Sequence, residues 1–488
     1  MVIESLKYKI LQQFGFAPTQ EQGQALDTFV SFLTDRDPQS VMILRGSAGT
    51  GKTSLSGAIV RTLLQIRQKV MLLAPTGRAA KVFSLGSGAP AYTIHRRIYR
   101  EKAFAGVDGQ FSLNDNLYTD TLFMVDEASM IANMGLGGTT FGSGCLLDDL
   151  VKFVYQGHND RLLLIGDKAQ LPPVGEEESP ALSASVMEGY GLKVYECDLN
   201  EVLRQSQSSG ILYNATLIRQ MITHDAVTGL PLIRFKGFAD IVMMPGAELV
   251  ESLGDSYHHV GMDETMVITR SNKRANIYNN GIRNMVLDRE EELSSGDMLM
   301  IVKNNYFWTE KEKKESGEGS AGAVPAFLAN GDRAKVLRGS NYIELYGFRF
   351  ATLLLQFPDY DDYEMQVTGM LDTLQSEAPA LTHEQQEELF RQVEEDYQHF
   401  VPLKADRMKS IRQDAYFNAL QIKYAYAVTC HKAQGGQWAH VYVDQGYMTD
   451  DMLTPDYIHW LYTAFTRATD KLFLVNWPKE QTCEPTDL

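Results

Sequence analysis

Cysteine is scarce: Cys145, Cys197, Cys430 and Cys483 are the only four in 488 residues, and no two form a CxxC pair. Such spacing argues against a disulfide scaffold or a zinc ribbon and fits a reducing cytoplasm. No apolar run approaches the roughly 18–20 residues of a membrane span. The opening MVIESLKYKI lacks the apolar stretch of a secretory signal. HExxH and GxSxG are missing too, so zinc-protease and serine-hydrolase chemistry have no local signature. Positive charge is in the minority, with 45 Lys and Arg against 62 Asp and Glu and a net charge of −17. Nucleic acid would therefore need a local positive groove on a mostly negative body. The remainder, 44% hydrophobic and 22% charged, is the composition of a globular protein long enough for several domains.

The most informative stretch is SVMILRGSAGTGKTSLSGAIV. Val41 to Leu44 reads as a buried strand, and Leu55, Ile59 and Leu63 recur at helical spacing. Between them Gly46, Ser47, Ala48, Gly49, Thr50, Gly51, Lys52 and Thr53 fit GxxxxGK[ST]. Strand, glycine loop and helix in that order are the context of a phosphate-binding P-loop. Its glycines let backbone N–H groups turn around an anion, and the helix start adds a favourable dipole. Lys52 is expected on the β- and γ-phosphates of ATP, and Thr53 on Mg²⁺.

A second apolar run, Leu122 to Val125, ends in Asp126 and Glu127. Carboxylates at the carboxyl end of a parallel strand suit a metal-side acid (Asp126) and a base for the attacking water (Glu127). A third run, Leu162 to Ile165, leads to Gly166-Asp167-Lys168-Ala169-Gln170, where Gln170 can report the γ-phosphate. Three strand ends facing one crevice describe a RecA-like ATPase core. Further strand-then-polar units at Val194–Asp198, Met266–Thr269, Val441–Val443 and Leu472–Val475 read as a second α/β sheet. Arg204 and Arg467 are its candidates for stabilising transferred charge; an arginine on an exposed helix is the plain alternative for each.

With these motifs in hand the chain resembles superfamily 1 DNA helicases, in the branch of RecD, Dda and the Pif-type enzymes. Phe16 to Gln22 looks like the Q motif, which implies Gln22 on the adenine. Gly46 to Thr53 resembles motif I, and Pro75-Thr76-Gly77-Arg78-Ala-Ala-Lys81 motif Ia, followed by His95. Asp126-Glu127 resembles motif II and Gly166 to Gln170 motif III. Arg204-Gln205 resembles the motif IV arginine, Tyr424 to Gly436 motif V, and Tyr462 to Arg467 motif VI. The resemblance implies γ-phosphate contacts by Arg204 and Arg467 and a nucleotide contact at Gly436. It implies strand contacts by Pro75, Thr76, Arg78, Lys81, His95, Thr429, His431 and Lys432. One departure is Gln437, where the family commonly has glutamate.

Lys102 to Leu113 reads as a β-hairpin around a Gly-x-Asp-Gly turn. The resemblance makes it a duplex-splitting pin, with Phe104 or Phe111 at the last base pair; a surface loop with one packed aromatic is the alternative. Lys311 to Gly322 reads as a mobile loop, Tyr342 to Tyr346 as a strand, and Thr382 to His399 as an acidic helix.

The expected fold is α/β: two RecA-like P-loop motor domains, the first with a small β-hairpin insertion and the second with a mostly β, SH3-like one. Residues 1–190 form the first motor domain, with the pin at about 97–118. Residues 191–285 and 423–488 form the second, and 286–422 the insertion. The expected activity is ATP- and Mg²⁺-dependent separation of duplex DNA, moving 5′ to 3′ on a single strand, the polarity resting on the resemblance alone. Expected partners are single-stranded DNA and tailed duplexes, with RNA still open, replication or repair proteins, and no membrane. The chain is expected to be a cytoplasmic monomer. A translocase that does not unwind and a regulatory P-loop ATPase subunit are the rival readings.

Overall fold

A computed structural model describes residues 2–105, 108–135, 142–201, 208–223, 229–316, 325, 327–401, 403–449 and 452–483. The chain forms two compact units, one of residues 1–102, 110–244 and 433–488, the other of 103–109 and 245–432.

The first unit is built on Ser40–Gly46 (β1), Lys69–Ala74 (β2), Ala91–Thr93 (β3), Thr121–Val125 (β6), Arg161–Gly166 (β7) and Lys193–Leu199 (β8). These form one sheet in the order β3-β2-β6-β7-β1-β8, with every neighbouring pair parallel. Between β3 and β6, Tyr99–Ala105 (β4) and Asp108–Leu113 (β5) pair as a separate two-stranded sheet. The period of two along a strand sends alternate residues to opposite faces, and both faces are covered. Met42 and Leu44 meet Ile10, Phe29, Leu55 and Leu63 of the helices Val2–Phe14, Gln20–Leu33 and Lys52–Gln65. Val41 and Ile43 meet Leu150 and Phe153 of the helix Leu146–Gln156. The carboxyl ends of β1, β6 and β7 therefore stand side by side, each leading into a polar segment. Helix Gly210–Thr223 and strand Ile241–Met244 (β9) follow.

The sequence reading places Val194–Asp198 in a second sheet; the structure puts it in the first. β8 runs parallel to β1 with Arg45 opposite Asp198. The Arg45 guanidinium holds Asp198 at 2.6 Å and Glu196 at 2.8 Å. Its half-polar pattern is that of an edge strand.

In the second unit Thr265–Thr269 (β10) pairs in parallel with Ala427–Thr429 (β16). Between them Met298–Ile301 (β11), Arg333–Leu345 (β12), Phe348–Phe357 (β13), Tyr363–Met370 (β14) and Leu420–Tyr424 (β15) close into a five-stranded barrel. The helices His383–Phe400 and Lys404–Arg412 cover Phe348 and Phe350 of this barrel through Leu389, Val393 and Ile411. A Thr382–Gln385 capping box starts the first of them. The barrel's foot is fixed by Asp297, fully buried, which receives Arg283 at 3.0 Å, Arg289 at 2.8 Å and the Tyr426 hydroxyl at 2.8 Å.

Lys311–Ser316, expected within a loop, belongs to the helix Phe307–Ser316. Lysine and glutamate are good helix formers. The helix start is anchored by buried Trp308, whose indole N–H donates to Asn418 O at 2.9 Å.

The chain then returns to the first unit, where Trp438–Asp444 (β17) and Ala468–Val475 (β18) pair in parallel with each other. β18 also pairs in parallel with β9. Helix Pro455–Phe465 lies between β17 and β18 in sequence and ends next to Arg467. Among the described residues no helix is long and apolar enough to cross a membrane.

Candidate active site

At the carboxyl end of β1 the chain turns through Gly49 and Gly51, both with φ near +78 to +79°, before entering the helix that starts at Lys52. Only glycine adopts this left-handed backbone without strain, so the loop's curl is fixed by residue type. The Lys52 ammonium is folded into the loop, donating to the Gly46 carbonyl and to Ser47 O at 3.0 Å. A lysine held by two neutral carbonyls at a helix start is poised to take an anion in their place.

Asp126 and Glu127 follow β6. Glu127 is in the left-handed region at φ +51°, a backbone state that costs a β-carbon-bearing residue energy and is concentrated at functional sites. Its N–H donates to Asp126 Oδ1 at 2.9 Å. Burial and the adjacent Glu127 charge push the Asp126 carboxyl far above its usual range, while Lys52 pulls the other way. Asp126 and the Thr53 hydroxyl are oxygen donors of the kind a hard divalent cation takes.

Gln170 is the hinge of the arrangement. With its amide assigned so that the nitrogen faces the carboxylate, it donates to Glu127 Oε2 at 3.1 Å and its oxygen accepts from Arg467 Nη2 at 3.2 Å. Arg467 is buried, with Nε on Thr463 O at 3.1 Å and Nη1 on Gly436 O at 3.0 Å. The whole segment after β7 is strapped to the helix Pro455–Phe465. Tyr462 donates to Asp167 Oδ2 at 2.6 Å, the Leu171 N–H donates to Thr463 Oγ1 at 2.8 Å, and His459 Nδ1 lies 2.9 Å from Ala169 O. Gln434 adds a bond to Leu171 O at 2.7 Å. Through the same hydroxyl Tyr462 accepts the Ala48 N–H at 3.0 Å, which carries the strap into the P-loop.

Gln22, expected on an adenine, has its amide engaged at both ends. Oε1 completes a capping box with Thr19, and Nε2 donates to Thr50 O at 2.9 Å. Pro75 and Thr76 precede the helix Gly77–Ser87, and Thr76 caps it by accepting from Ala79 N at 3.2 Å. Lys81 lies one turn in and is half-buried. Arg78 turns to the motif V segment, donating to Gln437 O at 2.8 Å and lying 5.0 Å over the Trp438 ring. Gly436 leaves no room for a side chain, since a β-carbon there would come within 2.4 Å of the Trp438 ring. His95 is half-buried beside Tyr99, and burial lowers its pKa to about 4, so the ring is neutral at physiological pH. Phe111 packs against the core at the base of the β4–β5 pair.

In the second unit Thr429 ends β16, and His431 and Lys432 lie on the short helix Cys430–Ala433. The Lys432 ammonium donates to Asn330 Oδ1 at 3.1 Å, and burial beside Lys423 lowers its pKa to about 8. Arg204 and the Phe104 side chain lie outside the described residues.

Two family matches coincide with this geometry: an AAA domain over residues 17–229 and a UvrD-like helicase C-terminal domain over residues 424–475. The chain is 30% identical over 157 residues to the ATP-dependent RecD2 DNA helicase of Deinococcus radiodurans, covering 32% of this chain and 18% of that one. It is 25% identical over 267 residues to the ATP-dependent DNA helicase dda of Enterobacteria phage T4, covering 53% of this chain and 55% of that one. These matches support a superfamily 1, RecD-like helicase. The chain spans less than two thirds of the length of either curated relative. A solved Pif1 helicase from Bacteroides, in complex with ADP-AlF3 and ssDNA, is similar at 14% identity with a TM-score of 0.46, covering 96% of this chain and 95% of that one.

Two residues that bond to the P-loop were not singled out by the motifs for that contact. Tyr462 sits inside motif VI, but nothing local shows that its hydroxyl reaches Ala48 and Asp167. Arg219, on the helix Gly210–Thr223, donates to Ser47 Oγ at 2.6 Å; it lies in no motif, and the sequence around it carries no signal.

Proposed function

We propose that the protein is an ATP- and Mg²⁺-dependent DNA helicase that moves 5′ to 3′ on a single strand and separates duplex DNA. The observation that carries this is Gln170 bridging Glu127 and Arg467 beside a formed P-loop, because it joins a base, a γ-phosphate sensor and a cation in one hydrogen-bonded unit. The names of the RecD2 and Dda relatives supply the DNA and the ATP dependence.

Lys52 and the loop N–H groups would hold the β- and γ-phosphates, and Gly436 would line the nucleotide. Thr53 and Asp126 would hold Mg²⁺, which supplies charge neutralisation at the phosphates. Glu127 takes a proton from the attacking water, whose oxygen bonds to the γ-phosphorus. The bond from that phosphorus to the β–γ bridging oxygen breaks, and ADP leaves with the electron pair. Arg467, held through Gln170, answers the charge shifted in that step, with Arg204 assigned the same task from sequence. The engaged Gln22 amide would swing from Thr50 to meet an adenine.

Strand grip is assigned to the start of the helix Gly77–Ser87 with Pro75, Thr76, Arg78 and Lys81, and to His95, Thr429, His431 and Lys432. Phosphate contacts of this kind carry no sequence information. The β4–β5 pair is the proposed pin; the packed Phe111 leaves Phe104 as its candidate wedge. Residues 1–190 with strand β8, the rest of 191–285 with 423–488, and 286–422 are the proposed motor and insertion domains. Unwinding of matched duplexes with a 5′ tail, a 3′ tail or none, with Lys52→Ala as control, tests the reading. Separation of the 5′-tailed duplex alone is expected; ATPase stimulated by single strands with no unwinding would make the protein a translocase instead.

A further inference from the structure

Among the described residues Arg219 has no counterion. Its Nη1 donates to Ser47 Oγ at 2.6 Å and to Asn200 Oδ1 at 3.3 Å, and among the described residues no carboxylate forms an ion pair with it. The side chain is half-buried, and Lys52 already donates to Ser47 O at 3.0 Å, so two positive groups converge on one P-loop residue. Placing an unpaired guanidinium next to an ammonium is unfavourable. An anion seated between them removes that cost. A guanidinium has five N–H donors, and Ser47 and Asn200 engage one nitrogen. Arg467 differs, because each of its nitrogens has a protein acceptor.

We propose that Arg219 contacts the γ-phosphate of bound nucleotide and sets the preference of the site for triphosphate over diphosphate. This rests on the ATP-site reading above. Arg219 approaches the cradle at Ser47, next to Ala48, where the Tyr462 hydroxyl ties the loop to Asp167. From Asp167 the chain runs directly to Gln170 and so to Glu127, the base for the attacking water. The guanidinium is thus joined through the P-loop and Tyr462 to the segment that carries Gln170. With ADP bound, the Ser47 hydroxyl remains its partner; with a triphosphate bound, bidentate donation to phosphate oxygens is the stronger alternative.

The test is calorimetric titration of the full chain with AMP-PNP and with ADP, both with Mg²⁺, for wild type, Arg219→Met, Arg219→Lys and Lys52→Ala. Arg219→Met is expected to weaken AMP-PNP by about tenfold or more and ADP by no more than about twofold. Arg219→Lys should show a smaller loss with the same selectivity, and it carries the test if the methionine variant fails to fold. Equal weakening of both nucleotides would make Arg219 a prop for the P-loop and overturn the proposal, as would unchanged AMP-PNP binding. Binding of neither nucleotide by wild type, or unaltered binding by Lys52→Ala, would instead bring down the ATP-site reading itself.

Discussion

Tyr462 donates its hydroxyl proton to Asp167 across 2.6 Å, and both groups are buried. Burial and the Asp167 charge hold the phenol well above its ordinary pKa, so it stays a donor at any working pH. Tyr462→Phe removes that bond and leaves a buried carboxylate short of one partner and the Ala48 N–H without its acceptor. A hydrogen bond to a charged group contributes about 1.5–3 kcal/mol. The variant should unfold at a lower denaturant concentration with an unchanged slope, and its ATPase should fall mainly in kcat.

Gln170→Ala severs Glu127 from Arg467 while leaving both in place. Loss of one preorganised polar group at a reacting centre costs about 10²–10³ in rate. Steady-state ATPase should show that loss in kcat, with KM for ATP changed far less. A variant with wild-type turnover would show that the bridge is structural.

Asp126 gives a pH prediction. A carboxyl whose pKa is raised by burial binds its proton more tightly folded than unfolded. The associated stability is fully present below the unfolded pKa and is lost as pH rises through the raised one. Without Mg²⁺, thermal stability of the wild type should therefore decline between mildly acid and neutral pH. Asp126→Asn should flatten that decline and melt higher than wild type at neutral pH, while abolishing hydrolysis. An unaltered pH profile in the variant would place the decline elsewhere.

Asp297 holds the barrel's foot with two arginines and the Tyr426 hydroxyl. Removing one partner of a buried ion cluster costs about 3–5 kcal/mol because the others are left unpaired. Asp297→Ala should lower the unfolding midpoint strongly, with Asp297→Asn in between, as denaturant titration would show.

The P-loop and the two acids after β6 were legible because each is a contiguous run whose chemistry is written in adjacent residues. The acidic helix His383–Phe400 was legible for the same reason, within one residue at each end of the span read as Thr382 to His399. The bond from Arg78 to Gln437 was not, since its acceptor lies 359 positions away in the chain. Tyr462 and Ala48, 414 positions apart, are the same case. Val194–Asp198 carries an ordinary strand pattern, and no local feature says which sheet it joins; the register of Arg45 against Asp198 does. Lys311–Ser316 looked like a loop because its charges conceal the buried Trp308 that anchors the helix.

Closure of the five-stranded barrel has a consequence for self-association. Strand β14 pairs with β15 at Gly369 and Met370, and β15 with β11 from Ile422 to Tyr424, so at these seams the backbone groups are already taken up within the ring. An open sheet of this size invites strand exchange with another copy whenever the chain is crowded. Where the ring is sewn shut it offers such neighbours nothing to extend.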